Sequence, residues 1–350
     1  MLVPQLLPGQ VKKLLLIGDT SLPEALGSKL LRGGTTLGIS SEWQISVSYH
    51  SPAPNYSPSM KSKRGKIFYR IADKRSWEWW SYQKLLLEQA EMLKPDLVIV
   101  TGVLPLKQEI FLTVRRNHGV VVNYLTDDPW NPIHRRRSFI SNLPYYDHIF
   151  STKQALQRRL KQAGAPSSSW LPFAYDPELH HPVQSKPGAD VVFIGTGAQE
   201  RLPWLNAIAE LPEIQRRIHG NSWAGMRIPG WEQQPAVTGE RYCEAVSGAK
   251  VVLGLIRMAN GDKSTDRSYE IGAIGGCGLY QDTNEHRNLM SGYPDEGFFR
   301  NPTELAERTK DLLANPALQN RLRRIGHNAI SRPENTYAAR LQTILKWAEQ

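Results

Sequence analysis

Short apolar runs alternate with longer amphipathic runs along most of the chain. The apolar runs KKLLLIGD (12–19) and PDLVIVTG (95–102) predict buried strands, and SWEWWSYQKLLLEQAEML (76–93) predicts a helix before the second of them. The same alternation continues through VVVNYLTDD (120–128) and YDHIFSTK (146–153). Strands that alternate with helices predict an α/β fold built on a parallel sheet with helices on both faces.

A polar segment, HPVQSKPGA (181–189), interrupts this rhythm and predicts a linker, because it holds two prolines and a glycine. The alternation restarts at DVVFIGTG (190–197). We therefore predict two Rossmann-like domains, 1–180 and 190–332, followed by a C-terminal helix at 333–350. Open α/β sheets bind ligands at the carboxyl ends of their strands, so we expect the site in the cleft between the two domains.

The bulk composition favours a cytoplasmic protein. Of its 350 residues, 40% are hydrophobic, and the mean hydropathy is -0.43. No apolar run approaches the length that spans a bilayer, and the opening MLVPQLLPGQVKK lacks the continuous apolar stretch of a signal peptide. Cys243 and Cys277 stand in apolar contexts without the spacing of a metal site, so we expect two buried thiols.

The net charge of +10 favours an anionic partner. A phosphorylated ligand, an anionic membrane surface and nucleic acid all meet that description. The basic runs KSKRGK (61–66) and RRR (135–137) are short and lack the interleaved aromatic residues of a surface that binds single strands. We expect them to be solvated, and we do not expect a nucleic-acid partner.

One segment of the second half, DRSYEIGAIGGCGLYQD (266–282), predicts a short helix that begins near its first residues and ends at Gly275. The free amides and the dipole at the start of such a helix form a site for an anion. Lys263 and Arg267 flank that start. A pyrophosphate would therefore be held by amides and by two cations.

Glu270 follows within the first turn of this predicted helix. Its carboxylate could accept two hydrogen bonds from a vicinal diol such as that of a ribose. The alternative is that Glu270 is only an acid favoured by the helix dipole. The glycines and the flanking cations favour the ligand role.

The segment resembles the donor-binding segment of bacterial GT-B glycosyltransferases, with the CgeB-like spore-maturation glycosyltransferases as the nearest subgroup. The family pattern R-[ST]-[FY]-E-x-x-A-x-G-[GA] is matched by Arg267, Ser268, Tyr269, Glu270, Ala273, Gly275 and Gly276. DVVFIGTGAQER (190–201), RIHGNSW (217–223) and NTYAARL (335–341) resemble other segments of the same family. The last of these has Asn335 where the family often has His. The resemblance covers roughly 190–341.

The resemblance implies a metal-independent glycosyltransferase of the hexosyltransferase type. Its donor would be a UDP-sugar or another nucleotide sugar, which is a substrate, so no cofactor is expected. It implies that the diphosphate lies near Gly195, Thr196, Arg201, Lys263, Arg267 and Ser268. It places Gly220 and Trp223 near the base, Glu270 on the ribose and Tyr269 in the donor motif. Asp262 stands eight residues before Glu270, where related retaining enzymes have a sugar-contacting Glu.

A pair of acids, Asp127 and Asp128, follows the apolar run in YLTDDPWN (124–131) and so lies at the carboxyl end of a predicted strand. One of them could be the general base that activates an acceptor hydroxyl. The alternative is a turn in which Asp128 caps a helix. The metal-binding acid pair of the GT-A fold would look similar, but the repeated α/β pattern does not suit that fold.

Other functions remain open at this stage. A nucleotide-sugar epimerase can share the two-domain layout, and a non-catalytic binder of phosphorylated or polyanionic ligands would explain the charge. A member of the family that keeps the fold without turnover is a third alternative. The acceptor could be a glycan, a protein or a small molecule, and a peripheral contact with an anionic membrane stays open. The sequence does not decide between inversion and retention of configuration.

Overall fold

The computed structural model describes residues 11–49 and 57–350. The chain divides into two compact units. Unit 1 comprises Met1–Pro172 with Ala338–Gln350, and unit 2 comprises Phe173–Tyr337. The segment predicted as a linker, 181–189, falls inside unit 2 in this division.

Unit 1 contains a six-stranded sheet in the order β2-β1-β3-β4-β5-β6, with every neighbouring pair parallel. The strands are β1 (Lys12–Gly18), β2 (Trp43–Tyr49), β3 (Leu97–Thr101), β4 (Val120–Leu125), β5 (His148–Ser151) and β6 (Ser168–Trp170). The central strand β3 is buried along its whole length, as expected for a parallel strand covered on both faces. The strand order reverses between β1 and β3, which end at Gly18 and Thr101.

Unit 2 contains a second parallel sheet, in the order β12-β11-β10-β7-β8-β9. The strands are β7 (Val191–Ile194), β8 (Arg216–His219), β9 (Glu232–Gln234), β10 (Val251–Gly254), β11 (Gly278–Gln281) and β12 (Phe298–Phe299). Counted within the unit, this is the Rossmann order 3-2-1-4-5-6 read from one edge. The order reverses between β7 and β10, so Ile194 and Gly254 mark the switch point.

Helices connect the strands in both units. In chain order they are α1 (Leu26–Leu37), α2 (Lys63–Ile71), α3 (Glu78–Leu93), α4 (Gln108–Arg116), α5 (Arg137–Ser141), α6 (Gln157–Gln162), α7 (Leu202–Ala209), α8 (Gly239–Gly248), α9 (Asp266–Ile274), α10 (Asn284–Leu289), α11 (Pro302–Ala314), α12 (Pro316–Ile330) and α13 (Tyr337–Ala348). Each unit has its own apolar core, with Ile17, Val98 and Val100 in unit 1 and Phe193, Leu253 in unit 2. The predicted α/β class with two parallel sheets is confirmed.

Candidate functional site

The loop after β7 is packed against the loop after β8 at the switch point of unit 2. Gly195 N–H donates to His219 O at 2.9 Å, and the indole N–H of Trp223 donates to Gly195 O at 2.9 Å. A Cβ on Gly220 would stand 2.0 Å from that same carbonyl oxygen. The two backbones therefore approach so closely that only glycine fits at position 220.

The buried side chain of Trp223 supports the loop after β7. Its side chain is 3% exposed, and its ring meets Phe193 edge to face at a centroid distance of 6.0 Å. Its one hydrogen-bond donor is committed to Gly195. The predicted place of Trp223 near a nucleotide base stays a prediction, and in this structure the ring offers little open surface for stacking.

The guanidinium groups of Arg201 and Arg267 both donate to carbonyls at the end of β7, and Arg257 is close enough for its charge to act on Arg201. Arg201 is 6% exposed, donates to the carbonyl of the exposed Thr196 and lies with its cation 5.0 Å from the Phe193 ring. Burial lowers the pKa of Arg201 to about 10, and the positive charges of Arg257 and Arg267 add to that effect. Like charges held together disfavour one another, so an anion bound here would be stabilised by all three.

The helix at the predicted donor segment has the expected limits. Helix α9 begins at Asp266 after Thr265 and ends before Gly275, which has the left-handed φ of 79°. The predicted start near 266–268 and the predicted end are confirmed. Glu270 stands in the second turn, however, and Asp266 is the acid of the first turn. The expectation that Glu270 is a first-turn acid is therefore wrong.

Glu270 lies in a buried hydrogen-bonded network and is 1% exposed. Its Oε2 accepts from Tyr242 Oη at 3.2 Å and from Arg267 Nη1, and its Oε1 lies 3.3 Å from His180 Nε2. Asp176 N–H donates to His180 Nδ1, which places the imidazole proton on Nε2, facing the carboxylate. The protein itself satisfies this carboxylate, so its contact with a ribose stays a prediction that requires Arg267 to move.

Arg267 links that network to the switch point. Its Nε donates to Ile194 O at 3.3 Å, at the end of β7, and its cation lies 4.6 Å from the Tyr242 ring. Burial lowers the pKa of Arg267, but the charges of Glu270, Tyr242 and Asp266 outweigh burial and raise it overall. With its side chain 35% exposed, Arg267 is the member of the network that a ligand can reach.

Ser268 and Tyr269, two residues of the predicted donor motif, contact other parts of unit 2. Ser268 Oγ accepts from Thr265 N–H at 2.9 Å and donates to His286 Nε2 at 2.7 Å, while His286 Nδ1 donates to Gln281 O at 2.6 Å. Tyr269 lies in the apolar core of unit 2. The Ser268 hydroxyl and the Tyr269 ring are thus buried and engaged with the protein, and a contact of either residue with the donor stays a prediction.

A separate cavity of about 290 Å³ holds the other two predicted donor residues, Asp262 and Lys263. It lies beyond the carboxyl ends of β10, β11 and β12 and includes Trp204 in its lining. Asn260 Nδ2 donates to Asp262 Oδ1 at 3.3 Å, and Thr283 Oγ1 donates to the carbonyl of Lys263 at 2.6 Å. The loop between β10 and α9 is thus held to the turn before α10, with the Lys263 side chain exposed.

The structure separates the two acids of unit 1. Asp127 lines a cavity of about 470 Å³ at the switch point of β1 and β3, with Arg136 in the same lining. His134 Nε2 lies 3.4 Å from Asp127 Oδ1. Asp128 instead accepts from Trp130 N–H at 2.9 Å, which forms the turn given above as the alternative. Of the pair, Asp127 is therefore the one that lines a cavity, and its role as a general base stays a prediction.

Sequence reasoning missed His134, His180, Tyr242 and Arg257. Arg257 follows the apolar run VVLGLI, and the end of a strand at a switch point is a signal that could have found it. His180 and Tyr242 reach Glu270 only through the tertiary fold. No local pattern marks either of them.

Comparisons with known proteins bear on this site. Residues 201–346 match the family model described as glycosyl transferase-like. T4 phage BGT in complex with UDP-glucose has a TM-score of 0.63 at 12% identity, over 97% of this chain and 100% of that one. Anabaena HepE in complex with UDP-glucose gives 0.62 at 11%, over 96% and 98%. A putative UDP-N-acetylglucosamine 2-epimerase from Listeria monocytogenes gives 0.56 at 14%, over 96% of each chain.

At these identities the similar structures establish the fold, which is GT-B as predicted. No curated protein matches the sequence. Together with the fold, the match to the glycosyl transferase-like model supports a glycosyltransferase. It does not distinguish a CgeB-like subgroup.

In the described part of the chain, no helix is long and apolar enough to cross a membrane. Within residues 11–49 and 57–350, no group of three or more His, Cys, Asp or Glu side chains is arranged to hold a metal ion.

Proposed function

We propose that the protein transfers a sugar from a UDP-sugar to an acceptor hydroxyl, with unit 2 binding the donor. The observation that carries this proposal is the gathering of Arg201, Arg257 and Arg267 at the switch point of a Rossmann-ordered sheet. The family match supports it because residues 201–346 include all three. UDP is the first nucleotide to test, since the similar structures from T4 phage and Anabaena are described with UDP-glucose.

The three cations fit the chemistry of the leaving group. When the bond between the sugar and the diphosphate breaks, the electron pair stays on the phosphate oxygen, and the diphosphate gains negative charge. Guanidinium groups that are already in place stabilise such charge without reorganisation. We propose that they do so without a metal ion. Donor turnover should then persist in a chelator and gain little from added Mn²⁺ or Mg²⁺.

We propose that the buried carboxylate becomes available when the donor binds. A diphosphate oxygen that accepts from Arg267 competes with Glu270 for the same guanidinium. Once Arg267 turns to the phosphate, Glu270 Oε2 has a free acceptor position for a ribose hydroxyl. The contacts with His180 and Tyr242 would hold the carboxylate in place during this exchange.

On unit 1, we propose that Asp127 accepts the proton of the acceptor hydroxyl if the reaction inverts configuration. If configuration is retained, Asp127 would only position the acceptor. We expect the acceptor to be a glycan, a protein or a small molecule, and the cytoplasmic location stays a prediction from the sequence.

A panel of nucleotides and nucleotide sugars tests the donor proposal. UDP should raise the melting temperature more than ADP or GDP, since a ligand that binds only the native state stabilises it. UDP should then be released from one UDP-sugar when acceptors are added. Arg257→Gln should show a smaller UDP-induced gain, whereas Arg321→Gln, which changes an exposed cation on α12, should keep the full gain. A chain that gains no stability from any nucleotide would refute the proposal.

A second candidate function is epimerisation of a nucleotide sugar, because the putative 2-epimerase from Listeria monocytogenes shares the fold over 96% of this chain. An epimerase would interconvert two nucleotide sugars with no acceptor present. A non-catalytic binder would show the melting shift alone. Product analysis of the same incubations therefore separates all three functions.

A further inference from the structure

The exposed side of α2 is both apolar and strongly basic. Ile67 and Ile71 are one helical turn apart and are 59% and 78% exposed. The side toward the protein is formed by Gly65, Phe68 and Tyr69. The helix thus turns two of its most apolar side chains away from the body of unit 1, where burial would stabilise them.

Cations surround these two isoleucines. Lys63, Arg64, Lys66 and Arg70 are all exposed on the same helix. The nearest acid along the chain, Asp73, is engaged, because its carboxylate accepts from the backbone N–H groups of Arg137 and Ser138 at 2.6 and 2.9 Å. We call the exposed side of α2, from Lys63 to Ile71, the α2 face.

Two exposed tryptophans lie near the start of α3, the next helix along the chain. Trp77 and Trp80 are 46% and 43% exposed. The Trp77 ring lies 5.9 Å from Phe68, so it stands next to α2. The cation of Arg75 lies 5.0 Å from the Trp80 ring. Exposed tryptophans beside cations have an apolar body and a polar rim, the combination favoured where water meets lipid.

The start of α3 is fixed relative to α2. Glu78 Oε1 accepts from Ser59 N–H at 2.7 Å, and Glu78 Oε2 accepts from the Ser59 hydroxyl at 2.6 Å. A Cβ on Gly65 would stand 1.8 Å from Ser59 O, so α2 packs directly on the same turn. Helix α2 and the start of α3 are therefore held together by these contacts and are not independent loops.

We propose that the α2 face and the two tryptophans dock on the surface of an anionic lipid bilayer. The cations match anionic headgroups, and the isoleucines can enter the boundary between headgroups and acyl chains. Nucleic acid would match the charge, but it offers no apolar medium to two exposed isoleucines. A bilayer accounts for both features of the surface.

The test uses the full chain and vesicles of phosphatidylcholine, with or without phosphatidylglycerol. We expect binding to the mixed vesicles only, with a loss in high salt. Ile67→Ser with Ile71→Ser, and separately Lys63→Gln with Lys66→Gln and Arg70→Gln, should each weaken binding by about tenfold or more. The control, Lys310→Gln with Arg321→Gln and Arg324→Gln, removes three exposed cations of unit 2 and should bind as the unchanged chain does.

Several results would overturn the proposal. One is equal binding to both kinds of vesicle, or to neither. Another is an equal loss in the control, which would indicate general attraction of a basic protein. A third is binding to duplex DNA that the lysine and arginine changes weaken and the isoleucine changes do not, with no binding to vesicles. Because no transfer activity is measured, failure here leaves the proposed donor site untouched.

Discussion

The guanidinium of Arg267 donates a hydrogen bond to Oε2 of Glu270, three residues further along α9. The acceptor is buried, whereas the donor is 35% exposed. We predict that Glu270→Gln lowers the free energy of unfolding by about 1–3 kcal/mol, a range reduced for the screening of Arg267 by water. Denaturation in urea measures this loss.

The matched control for that change is Glu232→Gln. Glu232 pairs with Arg217 at 2.7 Å, but its side chain is 49% exposed. Removing this exposed pair should cost less than about 1 kcal/mol. Equal losses in the two variants would contradict a special role for the buried network around Glu270.

Arg257→Gln separates stability from binding. Removing Arg257 relieves the repulsion that contributes to the lowered pKa of Arg201. We therefore expect the melting temperature without ligand to stay equal or to rise, while the affinity for UDP falls by about tenfold. Calorimetry of the two variants, Arg257→Gln and Arg321→Gln, checks both parts. Lower stability without ligand in Arg257→Gln would contradict the repulsion.

The close approach of Gly220 to Gly195 predicts the effect of adding one methyl group. Gly220→Ala should cost about 1–3 kcal/mol of stability, because its Cβ would meet Gly195 O. It should also remove the UDP-induced gain in melting temperature. In Gly225→Ala the new Cβ meets nothing within 4 Å, so only the left-handed φ of 82° costs about 1 kcal/mol. That variant should keep its response to UDP.

The buried His286 predicts a loss of stability in acid. Burial lowers its pKa from 6.5 to about 4, because a charged imidazole would lose its hydration there, and this outweighs the hydrogen bond to Gln281 O, which raises the pKa. The unfolded chain takes up the proton first as the pH falls. The contribution of His286 is thus complete above about pH 6.5 and is lost toward pH 4.

Protonation of His286 should lower the free energy of unfolding by about 3 kcal/mol at most. Unfolding by urea at several pH values should show the decline, and His286→Gln should flatten it. His148 of unit 1 also has a pKa lowered to about 4 by burial. His148→Gln should therefore remove a separate part of the loss of unfolding free energy in acid. An unchanged slope in His286→Gln would show that other groups govern the acid limit.

Asp127 and Asp128 should differ sharply in a transfer assay. If the reaction inverts configuration, Asp127→Asn should lower kcat by about 10²–10⁴ with donor affinity unchanged. Asp128→Asn keeps an oxygen that can accept from Trp130 N–H, so its turn and its activity should persist. Equal losses of kcat in the two variants would show that activity depends on the turn and not on a general base.

The sequence predicted the features that depend on neighbouring residues. The strands β3 and β7 follow from apolar runs of the right length, and the limits of α9 follow from the residues at its ends. The sequence did not predict contacts between residues that are far apart along the chain. His180 precedes the predicted donor domain, yet it contacts Glu270, and no spacing rule connects the two.

Glu270 shows why the chemistry was harder to predict than the fold. A carboxylate in a glycine-rich segment indicates a polar role but not which group it contacts. Burial and three protein partners became visible only in three dimensions. Asp127 and Asp128 are adjacent in the chain, and only the turn at Trp130 distinguishes them.

The path of the chain also bears on how the protein is made. Residues 338–350 belong to unit 1, where Trp347 packs 4.8 Å from His148 and Glu349 pairs with Lys12. A ribosome therefore synthesises all of unit 2 before it supplies the segment that finishes unit 1. The contact of β5 with Trp347 can therefore form only after unit 2 has been synthesised and α13 has followed it.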